Sequence, residues 1–204
     1  MLSYSTLNLL HNYPHNFLNK MMCIKQEDKI FFQEGREAHS IIQAHLSGEK
    51  IDDRLKHINY TFPVVERVDF DPNCKFQHRL DDKYLLIGFF DGIDRKNKRL
   101  LEIKTGYQEW SITKFVNSIQ RKIYSMVLPI DESILITARR KPEEWVLNKP
   151  KVYKVPSTKK DTLEALEWIL EGIKILEKGD FTKDLVDGKC TDPYCYWGNA
   201  CSFK

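Results

Sequence analysis

The chain has 204 residues, 42% of them hydrophobic and 30% charged, with a formal net charge of +3 at pH 7. No apolar run approaches the length of a transmembrane helix, and the start lacks both a basic segment and a small-residue cleavage site. Five cysteines, an odd number, do not make a secreted disulfide framework. The expectation is one cytoplasmic domain without membrane contact. Residues 1–60 form its helical N-terminal part, 61–156 a sheet with a helix, and 157–204 a C-terminal helix and a cysteine-containing tail.

In chain order, Ser3-Tyr4-Ser5 opens a short apolar helix that breaks near Tyr13-Pro14. Residues 31–46 read as a second helix, carrying Gly35 and His39. Residues 63–71 alternate apolar and polar side chains as a strand. Residues 84–106 then read as a hairpin of two apolar strands about the charged turn 94–99, the first ending in Asp91 and the second in Glu102-Ile103-Lys104. From Ser111 to Leu128, Ile112, Phe115, Val116, Ile119, Ile123, Met126 and Val127 recur at helical spacing. A strand core at Ser133–Thr137 follows, then a charged loop holding Pro142, Trp145 and Pro150. A strand over 150–156 comes next, plausible as an antiparallel neighbour of the preceding one. Ser157 or Thr158 caps a last helix reaching about Lys178, with Leu163, Leu166, Ile169, Leu170, Ile173 and Leu176 as its apolar stripe and Gly179 as its stop. The pattern predicts an α/β fold, a mixed sheet flanked by helices.

The hairpin carries the chemistry. Alternation along its second strand puts Glu102 and Lys104 on one face and Ile103 on the other. Asp91, Glu102 and Lys104 then converge at the hairpin edge. Carboxylates are hard oxygen ligands suited to Mg²⁺ or Mn²⁺, and a lysine beside such an ion can position or deprotonate an attacking water, as phosphodiester hydrolysis requires. E-x-K alone is a weak signal, since carboxylates and lysines near hairpin turns are common. Downstream, Gln120 and Tyr124 are four apart and share a helix face. Upstream, His39 offers an imidazole; a lone helix histidine is more commonly structural.

Five short motifs follow one another: Ser3-Tyr4-Ser5-Thr6-Leu7, Gly35 to His39, Gly88-Phe89-Phe90-Asp91, Glu102-Ile103-Lys104, and Gln120 to Tyr124. In that order and spacing the chain resembles the RecB-like nucleases of the PD-(D/E)xK superfamily, over residues 3 to about 130. The resemblance implies a restriction-endonuclease-like core with a small helical N-terminal region. It implies a metal-dependent exonuclease or end-processing nuclease acting on single-stranded DNA or DNA ends, in repair, recombination or a related process. His39, Asp91, Glu102 and the Ile103 carbonyl would hold Mg²⁺ or Mn²⁺, Lys104 would orient and activate the water, and Gln120 and Tyr124 would contact DNA or support Lys104. The competing readings are a nuclease-fold nucleic-acid-binding protein with weak or lost catalysis, and a different metal hydrolase or a structural domain whose hairpin mimics the motif.

Many RecB-like nucleases also carry a four-cysteine iron–sulfur cluster, with one cysteine before the proline of the first helix and three near the end. Here Tyr13 precedes Pro14, Cys195 and Cys201 fit the last two positions, and Asp192 stands where the first of the trio falls. The expectation is a lost cluster, with the tail folding back through Tyr194, Tyr196, Trp197 and Phe203. A shifted set of Cys23, Cys190, Cys195 and Cys201 binding iron–sulfur or zinc is the alternative. Cys74 has no obvious partner.

The net charge is modest, but basic residues cluster at 95–99, at Arg121-Lys122 beside the Gln120 to Tyr124 face, and at Arg139-Arg140-Lys141. Such clusters suit a polyanion approaching a carboxylate site. Tyr107 and Trp110 read equally as base-stacking or packing residues.

Overall fold

A computed structural model describes residues 1–22, 30–47, 50, 59–60, 71–141, 146–147 and 151–182. The expected strand at 63–70, and Cys23, Cys190, Cys195, Cys201 and the tail aromatics, lie outside the described residues. The chain divides into two compact units. One gathers residues 1–29, 77–88 and 165–204; the other gathers 30–76 and 89–164.

In the first unit, β1 (Leu2–Ser3) leads into α1 (Tyr4–Asn12) and α2 (Pro14–Met21). Ser3 is the N-cap of α1, its hydroxyl accepting the Thr6 amide at 3.2 Å. The helix stops at Tyr13 because a residue before proline avoids helical angles, and Pro14, which has no N–H to satisfy, starts α2. Leu7 and Leu10 are fully buried, each worth about 1.5–3 kcal/mol of transfer free energy. Pairing of β1 with the start of β4 (Leu85–Asp94) is parallel, Leu2 opposite Leu86.

The long helix α6 (Lys159–Lys178) enters this unit at Ala165. Its expected stripe is two stripes. Ala165, Ile169, Gly172 and Ile173 are buried, whereas Leu163, Leu166 and Leu170 are 61%, 39% and 47% exposed. Glycine stands at 172 on the buried face because α1 comes very close there. A Cβ on Gly172 would stand 2.7 Å from Leu7 Cδ2 and 3.1 Å from His11 Nε2. The His11 ring stacks on Trp168 at 4.3 Å and bonds its carbonyl at 2.8 Å. Gly179, at φ +71°, ends α6 in the left-handed region, as its position in the sequence predicts.

The second unit is built on the far half of β4, then β5 (Arg99–Gly106), β6 (Glu132–Lys141) and β8 (Lys151–Pro156). β4 and β5 are antiparallel, with Gly92 opposite Leu101 and Asp94 opposite Arg99. β5 and β6 are parallel, with Glu102 opposite Leu135 and Lys104 opposite Thr137. β6 and β8 are antiparallel, as expected. Two-residue strands β2 (Asn59–Tyr60) and β7 (Val146–Leu147) pair in parallel, and β7 also pairs with the end of β6. The strand before the hairpin, β3 (Asp71–Arg79), pairs with β4. It lies C-terminal to the run at 63–71 that the alternation marks.

Two details of the hairpin differ from expectation. β4 does not end at Asp91 but runs on to Asp94. The turn closes there because Asp94 accepts the Asn97 amide at 3.0 Å, the Asn97 side chain at 2.8 Å and Arg99 at 2.6 Å, with Lys98 left-handed at φ 51°. Burial pushes the Asp94 carboxyl up, but those bonds outweigh it and hold the pKa down to about 2.

Period-two alternation gives the sheet two working faces. On one, Leu101, Ile103, Ile134, Ile136 and Ala138 meet Ala38 and Ile42 of α3 (Ile30–Ser47). On the other, Leu135 and Val155 meet Phe115, with Trp110 and Tyr153 packed alongside. The connection between parallel β5 and β6 is two helices, α4 (Ile112–Val116) and α5 (Ile119–Val127), not one. Asn117 caps the first. Ser118 caps the second, its hydroxyl accepting the Arg121 amide at 3.5 Å. This is the α/β arrangement the sequence predicts, a mixed sheet with helices on both faces.

Candidate active site

The ladder between β4 and β5 stops after Gly92–Leu101. The next two opposed residues are Asp91 and Glu102. Asp91 does not continue the ladder; its carboxylate Oδ2 accepts the Ile103 amide at 2.7 Å. Its backbone carbonyl accepts the Gln43 side chain at 3.2 Å. His39, one turn before Gln43 on α3, brings its Nε2 to 3.5 Å from Asp91 Oδ1. α3 is itself tied to β5, since the Thr105 hydroxyl donates to the Gly35 carbonyl at 3.3 Å. Asp91 is thus held from two elements.

Glu102 and Lys104 share the face turned away from α3, and their side chains pair directly. Glu102 is 4% exposed. The Lys104 ammonium also donates to Gln120 Oε1 at 3.1 Å. Gln120 Nε2 donates to the Tyr124 hydroxyl at 2.9 Å, and that hydroxyl donates to the Phe89 carbonyl at 2.6 Å. Tyr124 is 2% exposed, with Phe76 and Phe90 edge-on to its ring. One chain of hydrogen bonds therefore runs from Lys104 through α5 back to β4, two residues before Asp91. Tyr124 lies at its far end.

The electrostatics are those of a buried carboxylate beside a half-buried one. Burial pushes the Asp91 carboxyl up, against the Ile103 amide and Lys104, which pull it down. Burial also pushes Glu102 up; Lys104 opposes this and the Asp91 charge adds to it. Burial holds the His39 imidazole below its usual value. With His39 neutral and both carboxylates ionised, these four side chains carry one negative charge in excess.

The donor types, an imidazole, a half-buried carboxylate and a buried one, suit a hard divalent ion. They do not close around one here. Among the described residues no three His, Cys, Asp or Glu side chains stand together as a metal cage, and Glu102 is paired with Lys104. Ile103 meets the site through its amide.

Several expected residues have other partners. Arg121 and Lys122 do not offer charge beside the site. Both are buried; Arg121 holds Asp161 at 2.5 Å and the Val116 carbonyl at 2.9 Å, and Lys122 is paired with Glu164. Ser3 acts in its own unit as a helix cap, bonded to the Ser5 and Thr6 hydroxyls at 2.9 Å. Tyr107 is 42% exposed, while Trp110 packs on Phe115 and Leu135. Gln43 was not anticipated, although its place four residues after His39 on one helix face was a readable signal.

No family model and no curated protein matches the chain. Several solved structures share its fold, two of which follow. The crystal structure of SSO0001 aligns with a TM-score of 0.58 at 14% identity, over 85% of this chain and 75% of that one. A candidate exonuclease of Eubacterium rectale aligns with a TM-score of 0.55 at 12% identity, over 86% of this chain and 79% of that one. At such identities the likeness is one of fold. No described helix is long and apolar enough to cross a membrane.

Proposed function

We propose that the chain is a metal-dependent deoxyribonuclease of RecB-like type, acting on single strands or DNA ends. The observation that carries this reading is the junction of Asp91, Glu102 and Lys104 where β4 and β5 part, with Lys104 held by Gln120. The fold shared with a candidate exonuclease supports it. His39, Asp91 and Glu102 would hold Mg²⁺ or Mn²⁺, which when bound supplies Lewis-acid polarisation of a phosphoryl oxygen and a lowered pKa for water. A divalent charge also turns the local excess from negative to positive, the sign a phosphodiester needs.

The chain's own residues do the rest. The Lys104 ammonium, fixed between the Glu102 carboxylate and the Gln120 amide oxygen, holds an attacking water by hydrogen bonding. It also offsets the negative charge that grows on the phosphoryl group. Gln120 and Tyr124 keep it aimed. Asp91 is braced by Gln43 and Ile103, so it is positioned before substrate arrives.

The test is degradation of 5′- and 3′-labelled single-stranded and duplex DNA in Mg²⁺, Mn²⁺ or EDTA, beside Glu102→Ala. The expected result is metal-dependent loss of label, abolished by the substitution while DNA binding remains. DNA bound but uncut in every metal favours a binding protein on a nuclease fold.

A further inference from the structure

Lys104 has a neighbour that no motif anticipates. Its Nζ lies 5.3 Å from the centre of the Trp110 ring, and Lys114 Nζ lies 4.4 Å from the same ring. Both distances fall within the reach of a cation–π contact. The indole is not loosely placed. Trp110 donates its backbone N–H to the Thr137 hydroxyl at 3.2 Å, and Thr137 is the β6 residue directly opposite Lys104. Thr137 is fully buried, so this bond ties the segment after β5 back across the sheet at the level of Lys104. The ring then packs against Phe115, Leu135 and Val155, which fix its plane.

We infer that Trp110 is a positioning residue for Lys104, its indole face holding the ammonium in line with Glu102 and Gln120. The inference rests on the reading of Lys104 as the group that acts on the attacking water. Four rotatable bonds let a lysine ammonium sweep a wide arc, and partners at one end restrain it only partly. A carboxylate and an amide oxygen each take one N–H. The ring adds a π face whose quadrupole attracts the cation from another side. Lys114, in the last turn of α4, meets the same indole from a more exposed position and carries no such role.

The test compares Trp110→Leu, which keeps apolar bulk but no π face, with Trp110→Phe, which keeps a face. Trp110→Leu is expected to lower kcat about three- to thirtyfold, the range of one cation–π contact. KM should change less than about twofold, and Trp110→Phe should recover most of the loss. A second readout needs no turnover. In protein with ¹³C-labelled lysine, the indole ring current should shift the Lys104 ε-methylene signal upfield, with Lys104→Arg and Lys114→Arg assigning the two affected lysines. Trp110→Leu should return that signal to the ordinary position. Full kcat in Trp110→Leu, or an unshifted Lys104 signal in the unsubstituted protein, overturns the inference. Absence of cleavage by the unsubstituted protein overturns the nuclease reading, and the role of Trp110 with it.

Discussion

Glu102 is a buried carboxylate facing another across the end of a broken ladder, and its best partner is a single lysine two residues away. Replacing Lys104 by Ala removes that carboxylate's lysine partner and, on the proposed reading, the hold on water. The expected loss of cleavage is about 10²–10³-fold, as for removing one preorganised group that stabilises developing charge. Gln120→Ala leaves Lys104 its carboxylate and should cost less, about tenfold, measured on the same labelled DNA. Asp94 makes a contrast, since its bonds to Asn97 and Arg99 are structural. Its pKa is held down to about 2 in the fold, below the ordinary carboxylate value of about 3.9. Stability from Asp94 is therefore present above that ordinary value and is lost as pH falls toward about 2. Asp94→Ala should destabilise the protein by about 1.5–3 kcal/mol at neutral pH. In acid titrations followed by circular dichroism, the gap between variant and unsubstituted protein should narrow below about pH 4. A gap that stays constant down to pH 2 contradicts this assignment.

At the scale of elements, the sequence was most legible where one force dominates. The break at Tyr13-Pro14, the stop at Gly179 and the alternation of Glu102, Ile103 and Lys104 each follow from one residue's stereochemistry or from a period of two. Legibility failed where two signals compete. The apolar run from Ile112 to Val127 reads as one helix, yet Asn117 and Ser118 divide it, because a serine hydroxyl caps a new helix more readily than it continues an old one. The leucines of α6 looked like its core face, but Ala165 and Gly172 are buried there instead, the glycine because α1 comes close. Gly172→Ala should cost about 1–3 kcal/mol by overpacking against Leu7, read from denaturant unfolding. Arg121 and Lys122 looked like a landing site for phosphates because sequence does not reveal which face of α5 is buried. Arg121 instead pins the first turn of α6 through Asp161. Arg121→Met strands that aspartate and should cost about 3–5 kcal/mol, with DNA affinity of the folded protein unchanged. Reduced DNA affinity in folded Arg121→Met would mean that the pair serves binding after all.

For the molecule as a whole, fold class was readable from the order of periodic segments, and so was the meeting of His39, Asp91, Glu102, Lys104 and Gln120. The partners that hold them were not. Gln43, Thr137 and the Phe89 carbonyl act through three-dimensional neighbours that leave no spacing signal, apart from the four-residue step from His39 to Gln43. The same architecture concentrates a half-buried and a buried carboxylate at one end of a broken ladder, where a bound cation would offset their charges. A divalent ion that binds the folded state alone stabilises it by mass action. At about a hundredfold excess over Kd the gain is about 2.7 kcal/mol, or about 5–10 °C in Tm for a chain of this length. The most direct measurement is a Mn²⁺ titration followed by electron paramagnetic resonance and thermal melting, on the unsubstituted protein and on Asp91→Asn. The expected result is saturable Mn²⁺ binding with a rise in Tm, both lost in Asp91→Asn. Equal Mn²⁺ binding by the two proteins, or no binding by either, would contradict a metal-dependent centre at Asp91 and Glu102.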